Sequence, residues 1–203
     1  MDAIFEQLRA LTCISGLSGH EERVIEYVVK KLEELTNEVT VDYSGNVTAT
    51  FRGTKCPEKS LLVLGHMDEV GLMVRKITED GYLLFERLGG PSEKTLRAQF
   101  VEVFTLDEKK SVPGVIGTKA HHLTPDDEKL KVPGKLDMYI DIGAGSRQEV
   151  LALGIDVGSA VTYQENFKRL GESRVASKTL DNRVSVYALL KLAEHLKSSP
   201  PGV

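Results

Sequence analysis

The 203-residue chain has no tryptophan, two cysteines (Cys13 and Cys56) and only 6% aromatic residues. Without tryptophan there is no indole platform to stack on sugar rings. Two cysteines make no disulfide framework, and such usage fits a reducing compartment. No apolar run reaches the roughly 20 residues of a membrane-crossing helix. The opening Met-Asp-Ala lacks the basic-then-apolar pattern of a secretory signal, so a cytoplasmic protein is expected. A basic excess is missing too: 26 Lys and Arg face 30 Asp and Glu, for a net charge of −4. That balance excludes broad nucleic-acid binding, which needs a basic face. What remains is an ordinary globular composition, 41% hydrophobic and 28% charged. A chain of this length buries a core unaided and forms one domain or two small ones.

The pattern changes along the chain. Ile4, Phe5, Leu8 and Leu11 share a helical face. Ser18 followed by Glu21 predicts a capping box, opening a helix with Val24, Ile25, Val28, Leu32 and Leu35 on one side. Val39, Val41 and Tyr43, the turn Ser44-Gly45-Asn46, and Val47, Ala49 and Phe51 predict a hairpin. A polar loop with Pro57 precedes Ser60 to Gly65, whose continuous apolar run predicts a central strand covered on both faces. Residues 73–168 change texture: short strands with frequent Gly and Pro predict a barrel or sandwich, with one helix near Ser146 to Leu153. The expected strands are Gly81 to Phe85, Leu96 to Leu106, Gly114 to Thr118, Leu136 to Ile142 and Ala160 to Tyr163. A last helix near Asp181 carries Val184, Tyr187, Ala188, Leu190, Leu192 and Leu196 as a broad apolar stripe. The order α/β, β-rich, α/β predicts one domain inserted into another, with boundaries 1–72 plus 169–203 and 73–168.

Three clusters carry candidate chemistry. Gly65-His66-Met67-Asp68-Glu69-Val70-Gly71 follows the apolar run, where sites of open α/β sheets form. On an extended chain His66 and Asp68 point to one side, so the imidazole can ligate a metal while the carboxylate ligates or orients it. A polar post-strand loop satisfying its own backbone is the competing reading. Asp181, in Lys178-Thr179-Leu180-Asp181-Asn182-Arg183, is either a helix N-cap or a carboxylate bridging two divalent ions. His121 and His122, with Asp126 and Asp127, sit between a turn and Pro125; adjacent side chains there diverge, which favours a solvated loop. Gly143-Ala144-Gly145-Ser146-Arg147-Gln148 misses the dinucleotide pattern because residue 148 is Gln.

In order, Ser15 to Glu22, Gly65 to Gly71, Val115 to Lys119, Ile140 to Ala144 and Leu180 to Arg183 resemble the dinuclear metallo-aminopeptidases of the glutamyl aminopeptidase and tetrahedral aminopeptidase type. Some members of that family carry an endoglucanase label. The resemblance covers nearly the whole chain and looks like the N-terminal portion of the family. It implies an α/β class: a zinc-exopeptidase-like α/β domain, incomplete at its C-terminus, with an inserted small β-barrel domain for assembly. It implies that His66 binds metal, that Asp68 is the catalytic-site carboxylate orienting and polarising His66, and that Asp181 bridges a two-metal site. The implied cofactors are two divalent ions per complete site, zinc or cobalt, with manganese also compatible. The implied reaction is hydrolysis of the N-terminal peptide bond of a peptide. The implied partners are that peptide and further copies of the chain; neither nucleic acid nor membrane is expected.

The family also uses a Glu-Glu pair, a further Asp and a distal His, all expected beyond the helix that ends near Lys197. Catalytic zinc usually has three protein ligands, whereas His66 and Asp181 supply two. An inactive, weakly metal-binding chain is therefore expected, one that associates through an unpaired sheet edge. A non-catalytic assembly module is the first alternative. A glycoside hydrolase is the second, and it requires paired carboxylates across a cleft.

Overall fold

The computed structural model of the chain describes residues 2–54, 59–200 and 202. Cys56 and Pro57 lie outside the described residues. The chain divides into two compact units, Met1–Glu69 with Glu165–Val203, and Val70–Gln164.

The first unit begins with α1, Asp2–Cys13, which buries Phe5 and Leu11. Ile4, expected on the same face, is 47% exposed. Helix α2, Glu22–Glu33, buries Val24, Val28 and Leu32 and turns its Glu and Lys residues outward. The expected capping box does not form. The helix starts at Glu22, the Glu21 carboxylate accepts from the Gly19 N–H at 2.9 Å, and the Ser18 hydroxyl is engaged by Asp68. Strands β1, Val39–Val41, and β2, Val47–Ala49, form the antiparallel hairpin that alternation predicts. Asp42 braces its turn, accepting from the N–H groups of Ser44 (2.8 Å) and Asn46 (2.9 Å).

One expectation fails clearly. The run Ser60 to Gly65 is not paired into a sheet among the described residues, and Leu61, Leu62 and Leu64 are 76–77% exposed. Apolar character makes a segment fit to be a central strand, but ladder partners make it one. The described residues supply none.

The second unit is a closed barrel built from β3, Gly71–Ile77; β4, Leu83–Leu88; β5, Phe100–Phe104; β6, Ser111–Thr118; β7, Met138–Asp141; and β8, Ala160–Tyr163. The order around it is β3-β4-β7-β6-β5-β8, all antiparallel, and closure removes free edges. Alternate residues fill its interior, among them Leu72, Val74, Phe85, Val103, Ile116, Ile140 and Val161. Two short helices complete the unit: α3, Glu93–Leu96, and α4, Arg147–Ala152. The expected single strand from Leu96 to Leu106 is thus split, because Leu96 ends α3 and Ala98 takes a positive φ of 60° before the strand begins.

The chain then returns to the first unit through the hairpin of β9, Lys168–Leu170, and β10, Arg174–Ala176. Arg169 pins this hairpin to α1, pairing with Asp2 at 2.9 Å and lying 4.0 Å over the Phe5 ring. The last helix, α5, spans Leu180–Ser198, although Asp181 and Asn182 leave helical φ/ψ values. Its buried residues are Arg183, Val186, Leu190 and Ala193, the last three packed with Leu11, Val24, Val28 and Leu32. The expected stripe is therefore rotated: Val184 (46%) and Leu192 (38%) are exposed. The helix is apolar on more than one face, so periodicity alone does not choose which face goes inward. No helix among the described residues is long and apolar enough to cross a membrane.

Candidate metal-ligating site in the first unit

His66, Asp68 and Asp181 all belong to the first unit, and its fold brings them together. Met67 sends its side chain into the core made by α1, α2 and α5. By the alternation of an extended chain, that anchors the triplet with His66 and Asp68 directed the other way. His66 Nδ1 lies 2.8 Å from Asp68 Oδ1. His66 Nε2 lies 3.3 Å from Asp181 Oδ1. Each ring nitrogen thus faces a carboxylate oxygen, and a metal ion on Nε2 would leave the ring proton on Nδ1, donating to Asp68.

That 3.3 Å spacing bears on metal binding. Two donors held to one zinc-sized ion by bonds of about 2.0–2.1 Å, at a tetrahedral angle, sit about 3.3–3.4 Å apart. The pair therefore has the separation of one edge of such a coordination shell. The Asp181 side chain is 96% exposed, so its second oxygen is open to a further partner. It is not the N-cap: that position is Thr179, whose hydroxyl instead donates to the Thr12 carbonyl at 2.8 Å. Among the described residues, no group of three or more His, Cys, Asp or Glu side chains is arranged to hold a metal ion.

Asp68 receives a second support. The Ser18 hydroxyl donates to its Oδ2, and this bond, joined by the His66 contact, holds the carboxyl below the usual aspartate range. Ser18 is a site residue that sequence reasoning missed, because Ser-x-x-Glu before an apolar stripe also spells a helix cap.

Beneath the loop lies a buried charge cluster, equally unannounced by any motif. The Glu69 and Lys178 side chains are 2% and 1% exposed and pair at 2.9 Å. Glu69 Oε1 also accepts from the Gly16 N–H at 3.0 Å. Arg183 is fully buried, donating from Nε to the Met67 carbonyl at 2.5 Å and from Nη1 to the Leu11 carbonyl at 2.7 Å. Burial pushes both Lys178 and Arg183 below their usual ranges, against the attraction of Glu69. The only legible signal was position: Glu69 follows Asp68, and Lys178 and Arg183 flank Asp181.

The other cluster stays apart from this chemistry. His121 and His122 lie exposed in a short 3-10 turn of the second unit, while Asp126 pairs with Lys129 and Asp127 with Lys131. That is the solvated loop expected there.

Comparison with known proteins gives this geometry a family. The profile of the M42 glutamyl aminopeptidases matches residues 45–201. The lysyl aminopeptidase of Pyrococcus furiosus is 37% identical over 196 residues, spanning 95% of this chain and 55% of the relative. The solved TET aminopeptidase of a marine-sediment Thaumarchaeota archaeon matches with a TM-score of 0.89 at 34% identity, across 98% of this chain and 55% of that one. The TET1 peptidase of Pyrococcus horikoshii, which assembles into a tetrahedron or a large octahedral shell, matches at 0.78 and 31% identity, across 96% and 56%. The chain spans about half the length of the relatives it matches. It belongs to the M42 glutamyl aminopeptidase family.

Proposed function

We propose that this chain carries one part of the active site of a metal-dependent aminopeptidase that removes N-terminal residues from peptides. The supporting observation is the His66–Asp181 pair at 3.3 Å, with Asp68 on the other ring nitrogen. His66 and Asp181 would hold the divalent ions. Zinc or cobalt fits this set, and manganese is compatible. When bound, such ions polarise the scissile carbonyl and lower the pKa of a shared water. Asp68 acts through His66, holding the ring in the ligating tautomer. The Ser18 hydroxyl, donating to the other oxygen of Asp68, holds that carboxylate in place for the task.

Two donors are fewer than the three that catalytic zinc usually has from protein. We therefore infer that the chain by itself binds divalent metal weakly and does not turn over substrate. The names of the assembling relatives support homo-oligomerisation, a role we assign to the inserted β unit, and the cysteine usage supports a cytosolic setting. The shortage of donors favours a second reading, a non-catalytic assembly module.

The test is titration of the purified chain with Co2+, alongside an aminoacyl-p-nitroanilide assay and a size measurement. Weak Co2+ binding that His66→Ala abolishes, without turnover, is the expected result. Chelator-sensitive turnover would overturn the inactivity. A defined oligomer with no metal binding would instead favour the assembly module.

A further inference from the structure

A single guanidinium spans the two segments that carry the candidate site. Arg183 sits two residues after Asp181 on α5, and its Nε donates to the Met67 carbonyl, the peptide oxygen between His66 and Asp68. Its Nη1 donates to the Leu11 carbonyl near the end of α1. The Gly16 backbone closes over the same group: a Cβ there would lie 2.9 Å from Nη2 and 3.1 Å from Val24. Burying a guanidinium is costly, and replacing a whole buried ion-pair cluster by apolar packing is often neutral or stabilising. Packing alone thus gives no reason for a fully buried arginine at this point.

We propose that Arg183 is a positioning residue that sets the spacing between His66 Nε2 and Asp181. The proposal rests on the functional reading above. The planar fork fixes two carbonyls at once, and its helix supplies the carboxylate. A lysine keeps the charge but reaches one carbonyl with a flexible stem, so the triplet regains freedom to shift against α5. A misplacement of about 1 Å is enough to weaken a preorganised site by around a hundredfold.

The experiment compares wild type, Arg183→Lys and His66→Ala in the full chain by two readouts, with folding checked by circular dichroism. The first is metal-free: nuclear Overhauser contacts between the His66 ring protons and the Asp181 β-protons, which report their spacing. Wild type is expected to show them, and Arg183→Lys to weaken or lose them. The second is Co2+ affinity read from paramagnetic shifts of the His66 ring, expected to fall at least tenfold in Arg183→Lys. Unchanged contacts and an affinity within twofold of wild type, in a folded variant, would overturn the proposal. If wild type shows no Co2+ shift at His66, the metalloenzyme reading falls, while the contact comparison still decides the role of Arg183. If Arg183→Lys does not fold, Gly16→Ala takes its place, displacing Nη2 without removing charge. The same weakening is expected, and wild-type contacts there would count against the proposal.

Discussion

The buried cluster beneath the site contains two cations, Lys178 and Arg183, and one anion, Glu69, so removing each charge has a different consequence. Removing one partner of a buried ion pair costs about 3–5 kcal/mol. Lys178→Met leaves Glu69 facing Arg183, the strongest attraction that the Arg183 guanidinium experiences. The count becomes one to one, and the cost belongs at the low end, about 3 kcal/mol. Glu69→Gln preserves shape, and its amide oxygen still accepts from Gly16 and Lys178 as Oε1 does now. Only the charge is lost, yet both cations lose their main counter-ion. Asp68 and Glu21 attract Arg183 less strongly than Glu69 does. The cost of Glu69→Gln therefore belongs at the upper end, about 5 kcal/mol. The difference of about 2 kcal/mol is roughly a thirtyfold change in the folded-to-unfolded ratio. Hydrogen exchange at the core amides of Val28 and Val186 in neutral buffer reads this stability within the first unit alone. If Lys178→Met costs as much as Glu69→Gln, the charge count does not govern the cluster and the reasoning fails.

Two further outcomes follow from named contacts. Asp68 titrates below its ordinary value chiefly because of the Ser18 hydroxyl, so its contribution to stability is complete above the unfolded-chain pKa and lost as pH falls through the folded one. Ser18→Ala should raise the Asp68 pKa toward the ordinary aspartate value and bring that loss to higher pH, measured by carboxyl 13C titration; an unchanged pKa would refute the Ser18 assignment. Leu62 and Leu64 are both 76% exposed in a run with no sheet partner among the described residues, a surface prone to association. Leu62→Lys with Leu64→Lys should reduce concentration-dependent self-association in sedimentation velocity and leave the melting temperature nearly unchanged; undiminished association would place the sticky surface elsewhere.

The parts of this molecule that were legible in its sequence are those whose pattern depends on neighbours along the chain. Alternation around Ser44-Gly45-Asn46 gives the β1–β2 hairpin, and the spacing of Val24, Val28 and Leu32 gives α2. His66 and Asp68 were legible as a pair because a separation of two residues on extended chain fixes their common side. What escaped the sequence was decided across the chain. Ser18 satisfies the local rule for a helix cap, yet its hydroxyl goes to a carboxylate fifty residues away. Leu61 to Leu64 satisfies the local rule for a central strand, yet strands are defined by partners. Arg183 breaks the local rule altogether, since a charged residue at a helix start reads as solvated. It becomes intelligible only once the carbonyls of Leu11 and Met67 are seen to converge on it. Charged residues flanking a metal-type motif therefore invite a structural test before they are assigned to solvent. The reason is physical: a loop that must hold two side chains at fixed spacing needs its backbone polar groups tied down. Few side chains besides arginine tie two carbonyls from one rigid plane.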